Sequence, residues 1–312
     1  MTLEDNTTQL KYHVEAFLAN LRRRGKAART ITRWSVELDR FVAWVGDREL
    51  HEIDAGALEL GFLTEWDAAF RDRNGRAPAL NSTRAVVQAI RSFYAFMDRF
   101  GLLVDANGGL IRNPALALEL PVIPVKPELD WLRAEEDEVL LGCPMSARED
   151  VIVFFLRMTG LRLGETLALT NRDLNMGEGS IMVTTSKTVA GLRSIPISPE
   201  LRPHIDRWWA FTRREGLFHP DGPFLVTRNR TAMKPQYVEE VVARVAVRAG
   251  LSRRVTPHTL RRTFGSDLVN RGLRLEVVSR LLGHASTSIT EKAYARLENT
   301  TIRDEMLAAL VG

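Results

Sequence analysis

The sequence predicts two domains: a mainly α N-terminal domain of four helices, and a mixed α+β, helix-rich C-terminal domain with a small antiparallel sheet. Three observations support this. Apolar residues recur at helical spacing through about the first hundred residues. A segment with three prolines, LPVIPVKP at 120–127, then interrupts the pattern. Beyond it, two short stretches of alternating residues lie among further helical patterns.

The N-terminal domain is predicted over residues 1–118. We expect its helices at 7–24, 30–45 and 55–72, and a fourth that Asn81 and Ser82 open as caps and that stops at Gly101. An aromatic stripe follows the helical period, which favours core packing over a platform for stacking bases. The stripe consists of Trp34, Phe41, Trp44, Phe93 and Phe96.

A semi-stiff connector is predicted at 119–131, followed by the C-terminal domain at 132–312. We expect helices near 132, at 151–158 (ended by Gly160), 162–169, 199–214 and 235–249, and another beginning at Thr256. Strands are expected at 181–185 and 194–197, joined by a turn at 189–191, and at 224–226.

Composition favours a protein that contacts a polyanion. The net charge is only +4, but two basic clusters contain no acidic residue. They comprise Arg22, Arg23, Arg24, Lys26, Arg29 and Arg33, and Arg244, Arg248, Arg253, Arg254, Arg261 and Arg262. A solvated helix face is the alternative, although it usually intersperses acids.

Cys143 is the only cysteine, which excludes a disulfide framework and a cysteine-based metal site. The first residues lack the layout of a signal peptide, and no apolar run reaches eighteen residues. We therefore expect a cytoplasmic location and no membrane partner.

Several residues have the chemistry of a phosphate site. Thr256 and Pro257 predict a helix start, and His258 and Arg261 would share a face at its positive end, where an anion binds well. Chance alone supplies about one such His-x-x-Arg pair, so the pair decides nothing by itself. Arg162 lies between two leucines; a buried ion pair with Glu165 is the alternative to a functional role.

Five segments, in this order, resemble the tyrosine recombinases of the phage-integrase type. They are TGLRLGETLALTNRDLN, SKTVAGLRSIPI, TPHTLRRTF, LLGHAS and ITEKAYARL. The resemblance covers 132 to the end, and the N-terminal domain is similar to the family's core-binding module. One departure is Arg262, where many family members have histidine.

The resemblance implies a site-specific DNA recombinase or integrase that cleaves and rejoins strands through a 3′-phosphotyrosyl intermediate and a Holliday junction, without ATP, metal or cofactor. The implied catalytic residues are Arg162, Lys187, His258, Arg261, His284 and Tyr294.

Each implied role suits its residue type. Tyr294 is the nucleophile, and the guanidinium forks of Arg162 and Arg261 match two phosphate oxygens. Lys187, unlike arginine, releases a proton readily and is the general acid; a surface lysine is the alternative.

His258 is the candidate base for the Tyr294 phenol. His284 donates to phosphate or holds the tyrosine, while Glu165 orients Arg162.

The partners that the resemblance implies are double-stranded recombination sites and further copies of the chain in a tetramer. A C-terminal helix with Ile302, Met306, Leu307 and Leu310 on one face would dock on a neighbour; packing on its own domain is the alternative. Accessory directionality or DNA-bending proteins and association with the nucleoid are further expectations. The residues expected to contact DNA are Arg24, Lys26, Arg29, Arg33, Arg84, Arg91, Arg193 and Arg262.

Two other functions stay open at this point: a catalytically inactive DNA-binding regulator and a topoisomerase-like strand transferase. A metal-dependent nuclease is disfavoured because the sequence has no clustered ligand set.

Overall fold

The computed structural model describes residues 4–124, 131–184 and 192–283, with side chains from residue 7 onward. Lys187, His284 and Tyr294, the turn at 189–191 and the C-terminal helix lie outside these residues. The chain divides into two compact units, Met1–Lys126 and Pro127–Gly312. The division falls within the predicted connector.

The N-terminal unit is helical. Its α-helices are α1 (Glu4–Arg23), α2 (Ala28–Val45), α3 (Thr64–Asn74) and α4 (Leu80–Arg99). The helix expected at 55–72 is a π-helical stretch, Ala57–Leu63, that continues into α3. Short 3-10 helices lie at Leu50–Glu52 and Pro114–Leu116. The predicted cap of α4 is wrong: Ala79 is the N-cap, so Asn81 and Ser82 lie inside the first turn.

The aromatic stripe forms the core of this unit, as predicted. Trp34, Phe41 and Phe93 are buried, and Trp44 and Phe96 pack against them. Rings meet edge to face, as between Phe41 and Phe93 at 6.4 Å, the geometry that their quadrupoles favour. The stripe therefore stabilises the helical unit and does not present a stacking surface.

Two arginines of α4 lie less outward than the sequence predicted. Arg84 donates from Nη1 to the carbonyl of Pro121 at 2.9 Å, and Arg91 donates to the carbonyl of Leu118 at 2.6 Å. Both side chains are half-buried. They hold the segment after the last 3-10 helix against α4, so the beginning of the predicted connector packs on the helical unit.

The C-terminal unit combines helices with one small sheet. Its helices are α5 (Ala134–Gly142), α6 (Ala147–Thr159), α7 (Leu163–Ala168), α8 (Arg202–Arg214), α9 (Pro235–Arg248), α10 (Pro257–Asn270) and α11 (Leu275–Leu282), with a 3-10 turn at Asn171–Asp173. The strands are β1 (Leu174–Asn175), β2 (Ser180–Val183) and β3 (Arg193–Pro196).

The sheet is antiparallel in the order β1-β2-β3. In its register Ile181 lies opposite Ile195 and Val183 opposite Arg193. β1 was not predicted, because two residues are too short to show a period. The strand predicted at 224–226 is wrong: this stretch forms only isolated antiparallel bridges, Pro223 with Thr170 and Val226 with Ala232, and does not join the sheet.

Helix α6 lies at the centre of the unit and packs against α8, α9 and α10. Ser146 caps its start, and Gly160 ends it with φ +60°, a left-handed conformation that glycine adopts easily. Near its end the buried Arg157 pairs with Asp137 of α5 and Asp267 of α10. These ion pairs join three helices next to the turn that leads into α7.

Candidate active site

Helix α10 begins as the sequence predicts. The Thr256 hydroxyl accepts the N–H of Thr259 at 3.1 Å, and Pro257 is the first helical residue. Its two candidate residues differ in exposure: His258 is exposed, whereas Arg261 is only 4% exposed. The His-x-x-Arg pair therefore has one member at the surface and one inside the unit.

The buried Arg261 joins two other parts of the unit. Its Nη1 donates to the carbonyl of Gly160 at 2.5 Å, and its Nη2 donates to the carbonyl of Leu282 at 2.6 Å. These carbonyls belong to the ends of α6 and α11. A planar guanidinium with five donors suits such bridging, because it fixes its own orientation.

Arg162 lies at the N-cap of α7, where the structure also forms the ion pair considered above. Its Nη1 is 2.8 Å from Oε1 of Glu165, and its Nη2 donates to the carbonyl of Gly283 at 2.8 Å. The side chain is nevertheless 44% exposed. These contacts use two of its five N–H groups among the described residues, so an anion can reach the remainder.

Gly160 allows the close approach between the α6–α7 turn and α10. A Cβ on this glycine would lie 2.3 Å from Cδ1 of Phe264, a residue of α10. Only glycine fits there, because the obstacle is a ring on a packed helix. This contact brings Arg162, two residues later, close to Arg261.

Arg193, which the sequence analysis expects to contact DNA, has a buried side chain. It begins β3, and its side chain is only 7% exposed. Its Nε donates to the carbonyl of Leu281 at 2.7 Å, and its Nη2 and Nη1 lie 2.9 and 3.3 Å from the two oxygens of Glu165. These contacts engage all three nitrogens of the guanidinium.

Strand alternation is the signal that could have located Arg193 inside. Residues two apart on a strand share a face, and Ile195 is buried. Arg193 also lies opposite the buried Val183. The arginine therefore occupies an inward position of the hairpin.

Three guanidiniums, from Arg162, Arg193 and Arg261, donate to the three successive carbonyls of residues 281–283, which we call the 281–283 turn. These carbonyls end α11, where the helix has unsatisfied acceptors and partial negative charge. Gly283 closes the turn with φ +62°. The three cations therefore converge immediately before His284 in the sequence.

Glu165 is ionised within this cluster. Burial opposes its ionisation, but the hydrogen bonds from the Arg193 guanidinium and from the N–H and guanidinium of Arg162 outweigh it. Together they hold the pKa of Glu165 below its usual value. One carboxylate thus balances part of the positive charge.

Arg262 contacts His258 rather than standing apart. Its Nε donates to Nε2 of the imidazole at 3.1 Å, one helical turn away. In the neutral ring this contact leaves the proton on Nδ1. The residue at which this chain departs from the family pattern therefore touches a predicted catalytic residue.

The basic residues of the N-terminal unit include four exposed side chains: Arg24, Lys26, Arg29 and Arg33. Lys26 lies over the ring of Trp34 at 5.5 Å. Arg24 and Lys26 also line a cavity of about 460 Å³ with an aromatic wall. Their contact with DNA stays a prediction.

Within the described parts of the chain, no group of three or more histidine, cysteine, aspartate or glutamate side chains could hold a metal ion. None of the helices seen there is long and apolar enough to span a bilayer.

The phage integrase family model matches residues 130–300. Tyrosine recombinase XerD of Lacticaseibacillus casei is 29% identical over 280 residues, which cover 88% of this chain and 90% of that protein. XerH recombinase bound to its difH substrate has a TM-score of 0.67 at 19% identity, covering 95% of this chain and 83% of that one.

The lambda integrase tetramer bound to a Holliday junction has a TM-score of 0.68 at 16% identity, covering 91% of this chain and 76% of that one. These two structures support the fold. The family match spans more than half of the sequence and includes every predicted catalytic position. The chain therefore belongs to the phage integrase family and is a site-specific recombinase of the tyrosine type.

Proposed function

We propose that this recombinase cleaves each DNA strand by attack of Tyr294 on the scissile phosphate and rejoins it to a partner strand through a Holliday junction. The observation that carries the proposal is the convergence of Arg162 and Arg261 on the 281–283 turn. The turn directly precedes His284, and Tyr294 follows ten residues later. Two guanidinium groups at a turn that precedes His284 and Tyr294 in the sequence suit a phosphodiester.

The bond changes balance without an added reactant. The phenolic oxygen of Tyr294 forms a bond to phosphorus, and the bond from phosphorus to the 5′-oxygen breaks. The strand then carries a 3′-phosphotyrosyl link and a free 5′-hydroxyl. Because the ester bond is conserved in the intermediate, attack by a 5′-hydroxyl reverses the step and no ATP is needed.

Arg162 and Arg261 neutralise the charge that builds on the non-bridging oxygens. Guanidinium stays protonated at all working pH values and matches two oxygens at once. Both side chains are held by backbone carbonyls before DNA binds. A preorganised donor needs no rearrangement at the moment of reaction, and one such donor typically contributes about 10²–10³-fold to the rate.

Two proton transfers complete the step. Lys187 supplies the proton to the departing 5′-oxygen, because an ammonium group, unlike guanidinium, releases a proton readily. His258 takes the phenolic proton of Tyr294. Its Nε2 accepts a hydrogen bond from Arg262, so this bond must break before the proton can move to that atom. His284 donates to phosphate or holds Tyr294.

The recombination sites are proposed to be duplex DNA held by both units. The exposed basic residues of the turn between α1 and α2 and of α2 itself offer phosphate contacts on the N-terminal unit. XerH is bound to difH DNA and lambda integrase is a tetramer on a Holliday junction, which supports a tetramer of this chain on two sites. The C-terminal helix is proposed to dock on the neighbouring copy.

A suicide substrate, nicked just 3′ of the cleavage point, tests the proposal. Loss of the short fragment prevents religation, so the wild-type chain is expected to accumulate a covalent adduct. Tyr294→Phe should form none while still shifting the DNA in a binding assay. Binding without any adduct by the wild-type chain would instead support a catalytically inactive DNA-binding regulator.

The same assay with two intact sites separates recombination from a topoisomerase-like reaction. Recombination predicts exchanged strands between the two sites. Relaxation of supercoiled DNA by an adduct-forming chain that exchanges no strands would overturn the recombinase proposal.

A further inference from the structure

One buried carboxylate is shared by two guanidiniums of unequal exposure. Oε1 of Glu165 lies 2.8 Å from Nη1 of Arg162, and Arg193 contacts both carboxylate oxygens, at 2.9 Å from Nη2 and 3.3 Å from Nη1. Arg162 is 44% exposed, whereas Arg193 and Glu165 are each 7% exposed. Together the three groups carry one net positive charge. Arg162 is the more exposed of the two cations, so an anion would meet this charge at Arg162.

Arg193 determines how Glu165 can bind Arg162. A carboxylate with a single guanidinium neighbour favours a bidentate pair, in which both oxygens are occupied by that neighbour. Arg193 and the backbone N–H of Arg162 both donate to Oε2, and the side chain of Arg162 contacts only Oε1. Without Arg193, Arg162 would be the remaining guanidinium beside this carboxylate, which would then offset its charge.

The same guanidinium also fixes the turn that leads to His284. Its Nε donates to the carbonyl of Leu281, and a Cβ on Gly283 would lie 2.5 Å from its Nη1. Its backbone pairs with Val183 of β2, and the segment that joins β2 to β3 contains Lys187. Arg193 therefore contacts Glu165 and the 281–283 turn, and in the sequence it closely follows the segment that contains Lys187.

We infer that Arg193 is a positioning residue for strand cleavage: it balances the charge of Glu165, so that Arg162 keeps a net positive charge for the scissile phosphate. The inference rests on the proposed function. It differs from the direct DNA contact that the sequence predicts. It also differs from a purely structural role, because it makes the reaction depend on the charge of Glu165.

The test measures single-turnover cleavage of the suicide substrate by Arg193→Gln and by the double variant R193Q/E165Q. We expect R193Q to cleave about tenfold or more slowly, since weakening one phosphate donor costs up to 10²–10³-fold. Removing the Glu165 charge in the double variant should restore the rate to within about threefold of wild type. Arg202→Gln, at a 54% exposed arginine of α8, is the matched control.

A second substrate tests whether the slower cleavage by R193Q depends on the negative charge of the scissile phosphate. A methylphosphonate at the cleavage point lacks one anionic oxygen, so neutralisation by Arg162 matters less. The R193Q defect should shrink to about threefold or less on this substrate. If R193Q fails to fold by circular dichroism, Arg193→Lys, which keeps the charge, should fold and show the smaller defect of a partly compensated Glu165.

Three outcomes would overturn the inference: a wild-type cleavage rate in R193Q, an equal defect on both substrates, or no recovery on adding E165Q. Failure of the proposed function is distinct from all of them. In that case the wild-type chain itself forms no adduct.

Discussion

The guanidinium of Arg261 donates from Nη2 to the carbonyl of Leu282 at 2.6 Å and thereby joins helix α10 to the end of α11. A second bond, to Gly160, ties the same side chain to the end of α6. The proposed phosphate ligand is thus oriented by the protein backbone before any DNA is present. The same planar guanidinium therefore joins the ends of two helices to α10 and, in the proposed reaction, binds the phosphate.

Arg261→Lys is expected to lower the cleavage rate about 10²–10³-fold, the range for loss of one transition-state donor. An ammonium group keeps the charge but cannot hold two carbonyls and a phosphate oxygen in one plane. Single-turnover cleavage measures the effect, with Arg254→Lys, an exposed residue nearby, as the control. A rate for R261K close to that of R254K would contradict the assigned role.

Gly283→Ala should destabilise the C-terminal unit more than Gly272→Ala does. Both glycines have positive φ, +62° and +81°, so both variants lose roughly 1 kcal/mol of backbone preference. Only at Gly283 would the added Cβ meet Arg193, at 2.5 Å, which adds about 1–3 kcal/mol of overpacking. Denaturant unfolding compares the two; equal free energies of unfolding would argue against a tight 281–283 turn.

Tyr94→Phe is predicted to stabilise the N-terminal unit slightly. The Tyr94 hydroxyl is fully buried and has no hydrogen-bond partner among the described residues, and burial raises the pKa of its phenol. Removing an unsatisfied buried hydroxyl typically recovers about 1 kcal/mol. Thermal unfolding should show a higher midpoint for this unit, with Tyr237→Phe as a half-buried control. A lowered midpoint in Tyr94→Phe would mean that the hydroxyl has a partner.

Glu149→Gln should lower the free energy of unfolding at neutral pH and change it little in acid. Burial raises the pKa of Glu149, but Ser146 and Arg248 outweigh it and lower the pKa from 4.5 to about 2. The folded-state pKa is the lower one, so the stabilisation is complete above pH 4.5 and disappears as pH falls towards 2. The gap in unfolding free energy between wild type and variant should close over that interval; a constant gap would show that the charge of Glu149 contributes nothing.

Local patterns in the sequence predict much of this fold. The helical stripe of Trp34 and Phe41 locates a core, and the Thr256–Pro257 pair locates the start of α10, because both depend on near neighbours in the chain. The 224–226 segment was mistaken for a strand because its apolar run is equally compatible with buried loop backbone. It forms only isolated bridges, and one of its carbonyls accepts a hydrogen bond from the Trp208 indole.

In the candidate site, too, contacts between residues that are distant in the sequence could not be predicted. The motifs identify Arg162 and Arg261 by residue type and order, but not their common partner, the 281–283 turn, which is about 120 residues from Arg162. Arg193, Arg84 and Arg91 were assigned to DNA because an arginine in a basic chain favours a polyanion. In the structure they pair with Glu165 or with backbone carbonyls, contacts that only tertiary packing creates.

Identification of the amino acid joined to DNA tests the central claim most directly. The adduct trapped on a suicide substrate would be digested with protease and nuclease, and the modified peptide would be sequenced by tandem mass spectrometry. We predict a nucleotide on the phenolic oxygen of Tyr294, joined through the 3′-phosphate. A nucleotide on Tyr12, Tyr94 or Tyr237, or on any residue other than tyrosine, would contradict the account.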